Sequence, residues 1–265
     1  REELKQKAIE AKEAKQQQLN EQYETVAKEC SKAFQAGIDA KMPTKYLEKK
    51  GITQTDFNQL SSVKLDEKGN LMVPIQDVDG KIWLLEKIHS NGFKSLTKGG
   101  KKSGNFSIIE TALQKRQGLE KAPVILICEG YSTGVSLALA TKQPVVMSVD
   151  AGNLPTVAKI LREKYPDKPF VICGDDDRDN SINKGRIKAT EAAEAINAEL
   201  CFPVFKKDQT GSEYTDFNDL ACHSELGWKA IEIQLKPVLD KVLKLQKAQA
   251  SEVVEYRSQG VKNAK

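Results

Sequence analysis

Four short apolar runs, 124–128, 145–149, 170–173 and 200–204, alternate with stretches of helical character near 135–141, 154–165 and 186–197. No other feature limits the fold as much. The runs lack the polar–apolar alternation of a half-exposed strand, so they suit strands buried on both faces, as in a parallel sheet. Parallel strands need crossover connections, and right-handed βαβ crossovers cover the sheet with helices. The expected fold class is therefore α/β, a parallel sheet with flanking helices. Two of the runs lead into the acids that matter most: Glu129-Gly130 follows the first, and Gly174 then Asp175-Asp176-Asp177 follows the third. The carboxyl ends of such strands open into the binding crevice, so these carboxylates are expected to converge. Convergent carboxylates repel one another unless a cation lies among them. Hard oxygen donors suit Mg²⁺ or Mn²⁺ rather than zinc. Helix capping is an adequate account of Glu129 alone, but it does not account for three adjacent aspartates.

Asp175 and Asp177 are the expected metal ligands, because alternate residues at a strand end project to the same side. Asp176 should turn away. Asp179 shares the loop and is a further metal candidate. Asp150 ends the second run and either faces the crevice or serves the turn before Gly152. Lys184 and Arg186 fall where a helix should begin, and helix N-termini favour phosphate. Asn183 suits a plain capping role equally well.

At these residues the chain resembles the TOPRIM domain, the fold shared by bacterial-type primases, topoisomerases and some nucleases. Beyond that core, the stretches Cys128–Gly134 (CEGYSTG), Asp150–Leu154 (DAGNL) and Thr215–Leu220 (TDFNDL) look like plasmid and phage primases related to the conjugative TraC type. Pro43–Ile52 (PTKYLEKKGI) looks like the segment that precedes the catalytic region in that group. The likeness covers roughly Pro43 to Leu235. It implies a DNA primase core that makes short primers on single-stranded DNA for plasmid or phage replication or conjugation. The implied substrates are a single-stranded template and ribonucleoside triphosphates, with a helicase or other replication proteins as partners. The implied catalytic set is Glu129, Asp175 and Asp177. Glu129 either joins the metal shell or acts as general base on the attacking hydroxyl. In related primases an acidic pair after the last core strand lies near the metal site; here that pair is Asp216 and Asp219, although Asp216 can also cap a short helix over Phe217 and Leu220. Replicative bacterial primases carry a further acidic residue after Glu-Gly-Tyr where this chain has Thr133, which puts the metal count in doubt.

Residues 1–40 are rich in Glu, Lys, Gln and Ala and read as a helix, with Leu19, Tyr23, Val26, Cys30 and Phe34 as a narrow apolar stripe. Residues 51–110 read as a small β-rich unit. In it, 71–75 and 82–85 flank the Asp79-Gly80 turn as a hairpin. The Gly- and Lys-rich stretch after it carries Lys94, Lys98, Lys101 and Lys102, which reads either as a solvated loop or as a phosphate-binding segment. The resemblance favours nucleic-acid contact. The domain plan that follows is 1–45 helical, 46–118 basic and β-rich, 119–222 catalytic, and 223–265 a helix near 226–245 grading into a disordered tail or linker.

Composition sets the remaining bounds. Lys and Arg total 41 against 37 Asp and Glu, a formal net charge of +4, which is weak evidence for a polyanionic partner. No apolar run is long enough to span a bilayer and no secretory signal is present, so a cytoplasmic setting without membrane contact is expected. The five cysteines form no C-x-x-C pair, which argues against structural zinc and for reduced thiols. No G-x-x-x-x-G-K-[ST] match is present. The chain begins at Arg1 rather than Met, so zinc-binding or helicase modules can lie on a longer parent chain. His89 and His223 are isolated and read as structural; Trp83, Trp228 and Tyr131 read as packing residues. Two other functions stay open: a metal-dependent TOPRIM nuclease and a non-catalytic nucleic-acid-binding module. The convergent acids argue against the latter, and the basic unit at 51–110 argues against the former.

Overall fold

The computed structural model describes residues 1–61, 63–115 and 118–262. The chain opens with helix α1 (Glu2–Ala36), strand β1 (Ile38–Asp39) and two short helices, α2 (Lys45–Lys49) and α3 (Gln54–Phe57). Strands β2 (Lys64–Leu65), β3 (Leu71–Gln76), β4 (Ile82–Ile88) and β5 (Lys94–Leu96) follow, then β6 (Ser107–Ile109), α4 (Ala112–Lys115) and α5 (Gly118–Lys121). The second half alternates: β7 (Ile125–Cys128), α6 (Tyr131–Thr141), β8 (Val145–Met147), α7 (Leu154–Lys164), β9 (Phe170–Cys173), α8 (Lys184–Ile196) and β10 (Glu199–Cys201). Helices α9 (Phe217–His223) and α10 (Trp228–Lys262) end it.

The strands form two five-stranded sheets. The first, β1-β2-β3-β4-β5, is an antiparallel meander whose β3/β4 hairpin turns at Gly80, φ +85°, a backbone region glycine enters at little cost. Of the expected stripe on α1, Cys30 packs with Val26 and Phe34 onto Met72 and Leu85 of this sheet. The second sheet has the order β10-β9-β7-β8-β6. Its first four strands are parallel, and β6 pairs antiparallel with β8. Although β6 precedes residue 118, it closes the edge of this second sheet.

Both faces of the parallel sheet are covered, which is why its strands read as continuous apolar runs. Ile125, Ile127, Val146 and Ile172 pack under Leu154, Val157 and Leu161 of α7 and Ala189, Ala192 and Ile196 of α8. The alternate residues Leu126, Cys128, Met147 and Val171 join Val135 and Leu137 of α6, Ile231 and Leu235 of α10, and Leu71, Ile75 and Leu84 of the first sheet. One core thus runs from sheet to sheet.

Several boundaries differ from expectation for local reasons. Strand β8 stops at Met147 instead of Val149, because Val149 takes φ +78°, a left-handed conformation that a β-branched residue enters only under strain. Strand β10 ends at Cys201, not at 204, ahead of Pro203, which has no N–H for a ladder. Helix α1 ends at Ala36 and leaves room for β1, which the sequence did not announce. Helix α10 continues to Lys262, where a disordered tail or linker was expected beyond 245; residues 263–265 lie outside the described residues. Among the described residues no helix is long and apolar enough to cross a membrane, and all five cysteines are free thiols.

Candidate active site

Strands β7 and β9 are parallel neighbours, with Ile127 beside Ile172. Their carboxyl ends therefore bring Glu129 and the Asp175–Asp177 loop together. Helix α6 begins at Tyr131, four residues earlier than its apolar pattern suggested, so Glu129-Gly130 forms the turn from strand to helix. Glu129 is buried, and its Oε1 has no hydrogen-bond partner. Asp175 Oδ1 is likewise sealed from solvent without a partner. Asp176 is turned away, as expected. Its carboxylate accepts two hydrogen bonds from the Arg186 guanidinium, each 3.0 Å, and one from Asn183 Nδ2 at 2.7 Å. Gly185 lets α8 come this near: a Cβ there would lie 2.7 Å from the Asp175 carbonyl oxygen.

The other acids fall around this centre. The Asp176 N–H donates to the Thr215 carbonyl at 2.7 Å, tying the aspartate loop to the segment that leads into α9. Asp216 caps α9 and forms a reciprocal capping box with Asp219, over buried Phe217 and Leu220. The Thr133 hydroxyl donates to Asp216 Oδ2 at 2.8 Å. Asp150 accepts a hydrogen bond from the Asn153 N–H and pairs with Lys102. Asp179 is exposed and accepts from the Gly211 N–H, apart from the rest.

Electrostatics mark the same group. Burial first, then Asp177, pushes Glu129 up to about 7; the Asp175 N–H works the other way, Asp150 adds to the rise and Lys184 opposes it. Burial, then the charges of Asp216, Glu129, Asp177 and Asp219, holds Asp175 well above the carboxylate range. Burial, with Asp219, also raises Asp216, against its hydrogen bonds and Lys50. Asp176 moves down instead, because Arg186 hydrogen-bonds its charged form. Among the described residues no three His, Cys, Asp or Glu side chains stand ready-made as a metal cage. The donor chemistry nonetheless fits a divalent cation. Glu129 and Asp175 each present a buried, unpartnered oxygen beside other carboxylates, and a hard cation would satisfy both the lone pairs and the repulsion.

The expected basic residues divide. Lys94 reaches the site: its Nζ lies 3.7 Å from where a Cβ on Gly130 would stand. Lys184 starts α8 and acts on Glu129. Lys98 is exposed on the loop after β5. Lys101 lies over the Trp83 ring at 4.7 Å, and Lys102 is engaged with Asp150. Arg186 is committed to Asp176 and stacks 4.0 Å from the Phe202 ring centroid, while Asn183 accepts from the Arg186 N–H as a helix cap.

Two residues had gone unremarked. Lys50 sits 3.7 Å from Asp219 and lines, with Lys49, Lys94, Ser132 and Asp216, a cleft of about 540 Å³ beside the acids. Asn153 is buried; its Oδ1 accepts from the Gly104 N–H, and its Nδ2 donates to the carbonyls of Asn105 and Ser148. It thereby pins the lysine loop to the end of β8. Lys50 was legible only as part of a Lys-Lys pair, and Asn153 only as part of a quoted motif.

Comparison with known proteins places the segment in a family. Residues 124–225 match the family model of the Toprim domain. This segment is a Toprim domain. The chain around it is TraC-like: it is 34% identical over 209 residues to a DNA primase TraC of Escherichia coli, covering 77% of this chain and 13% of that protein. A second Escherichia coli DNA primase TraC is 28% identical over 310 residues, covering 94% of this chain and 28% of the relative. The chain thus spans less than a third of either relative. In fold, the chain resembles the primase fragment of the bacteriophage T7 primase-helicase protein, with a TM-score of 0.53, 15% identity, and coverage of 76% of this chain and 77% of that one. It also resembles a DnaG primase catalytic domain solved bound to ssDNA, with a TM-score of 0.50, 17% identity, and coverage of 84% and 80%.

Proposed function

We propose that this chain is the catalytic core of a DNA primase, joining ribonucleotides into short primers on a single-stranded template during plasmid or phage replication or conjugation. The observation that carries the reading is the pair of buried, unpartnered oxygens of Glu129 and Asp175 at adjacent strand ends of a Toprim domain. The relatives named DNA primase TraC support it. In this reading a 3′-hydroxyl attacks the α-phosphate of the incoming nucleotide and pyrophosphate leaves. Glu129, Asp175 and Asp177 would hold Mg²⁺ or Mn²⁺, which when bound neutralises charge on the phosphate oxygens. Glu129, raised to about 7, is suited to accept the hydroxyl proton near neutral pH. Lys94, at Gly130, and Lys184, acting on Glu129, are suited to meet a phosphate held there. Asp216 and Asp219 shape the cleft wall and keep Lys50 in it. The solved relative bound to ssDNA supports a single-stranded template, and replication proteins such as a helicase are the fitting partners of a cytoplasmic enzyme of this kind.

Incubation with single-stranded template, labelled ribonucleotides and Mg²⁺ or Mn²⁺ tests the reading. Template-dependent oligonucleotides are expected. Shortened template instead would turn the assignment to a nuclease.

A further inference from the structure

Strand β4 places Leu84, Glu86 and Ile88 on one face, and Leu84 and Ile88 belong to the core shared by the two sheets. Glu86 interrupts that apolar row. It is 4% exposed, and its Oε2 has no hydrogen-bond partner. A carboxylate in this position is costly, since burial without a partner sacrifices hydration and gains nothing in return. An apolar residue would suit the core better. The neighbours of Glu86 indicate what it serves. In the β4/β5 register Glu86 stands opposite Leu96, and Ile88 stands opposite Lys94. Glu86 and Lys94 are therefore diagonal neighbours on one face, near enough to act on each other through charge without an ion pair between them. Burial raises the Glu86 pKa, Lys94 draws it back, and Asp150 adds to the rise, so all three charges share one field. The far end of Lys94 lies against Gly130, beside Glu129.

We propose that Glu86 is a positioning residue: from the first sheet, its buried carboxylate holds the Lys94 ammonium at the Glu129-Gly130 strand end, where Lys94 meets the phosphates of the incoming nucleotide. The inference rests on the primase reading for the identity of the nucleotide, but not for the coupling of Glu86 to Lys94. Glu86 touches no substrate itself. It fixes where a mobile lysine spends its charge.

The test uses the whole chain with Glu86→Leu, Glu86→Gln, Lys94→Ala and the double variant Glu86→Leu/Lys94→Ala. Thermal melting, anisotropy of a fluorescent ATP analogue, and KM and kcat for primer synthesis are measured on each. Glu86→Leu is expected to melt no lower than the parent, because an apolar side chain replaces a buried charge. It should bind the analogue about twofold to fivefold more weakly, the size expected of an opposite-charge cross-strand pair, with KM raised and kcat little changed. Glu86→Gln should recover part of that loss, since it keeps an acceptor. Adding Lys94→Ala should cost nothing further, as expected of two residues acting as one unit. Unchanged binding in Glu86→Leu, or losses that add in the double variant, would overturn the proposal. Should Glu86→Leu prove unstable, the shape-preserving Glu86→Gln decides by the same comparison. Nucleotide binding that depends on Glu86 in a chain that makes no primers would sink the primase reading and leave this inference standing.

Discussion

Glu129 and Asp175 are held where carboxylates are least stable as anions, and that fact makes them testable. Asp175→Asn and Asp177→Asn keep shape and remove charge, so each is expected to abolish primer synthesis while the fold persists. Full activity in either variant removes that residue from the metal-holding set. The acids also link stability to pH. Glu129 rises from 4.5 to about 7 on folding, so between those values the folded state binds more protons than the unfolded one. Stability must then fall as pH rises through that window, by on the order of 3 kcal/mol for the shift of this one group. In EDTA the melting temperature should drop between about pH 5 and pH 8, and Mn²⁺ should abolish the drop by compensating the charge that forms. A melting temperature flat with pH in EDTA would show that neither burial nor the neighbouring acids raise Glu129. Glu129 and the aspartates were legible in the sequence because they end apolar runs. Asn153 and Lys50 were not, because each owes its place to a residue far along the chain, Gly104 and Asp219; Glu86 was not, because its relation to Lys94 depends on the β4/β5 register.

At the scale of elements, the parallel strands could be read because burial on both faces writes itself as unbroken apolar sequence. The hairpin could be read because its turn needs glycine. Elements that depend on a partner could not. The two-residue strand β1 exists only through its pairing with β2, and β6 joins a sheet whose other strands come later. The start of α6 is masked by Ser132, Thr133 and Gly134, small residues that let the helix lie close on Ile109 and Cys128. The lysine loop shows the same limit. As a sequence it offers four equivalent cations, but Lys101 is occupied by Trp83 and Lys102 by Asp150. If Lys94 serves the nucleotide and only Lys98 releases counterions from a single strand, changing all four to Ala should reduce the slope of log affinity against log salt by about 0.7, not about 2.8. Binding to template across a salt series measures it. A reduction near the larger value would mean that Lys101 and Lys102 leave their partners for phosphate.

For the whole molecule, the Toprim domain packs one face of its sheet from within, under α7 and α8, but not the other. Leu71, Ile75 and Leu84 from the first sheet and Ile231 and Leu235 from α10 are buried against it, in one cluster with Leu126, Val135 and Met147. Strand β6 covers the edge of β8, and α9 meets both α6 and α10. The unit that folds is therefore expected to be larger than the 124–225 family match. Each of those five large side chains contributes about 1.5–3 kcal/mol on burial, and a domain's net stability is only about 5–15 kcal/mol. A fragment of residues 119–225 lacks all five and the β6 edge, so its deficit is comparable to the whole margin. It is expected to show no cooperative urea transition and to bind a hydrophobic dye, whereas residues 37–246 should unfold in a single step. Circular dichroism and dye fluorescence on the two fragments give the comparison. A sharp transition in the shorter fragment would mean that the first sheet and α10 rest on a complete domain, and that Glu86 reaches the active site across an interface and not through a shared core.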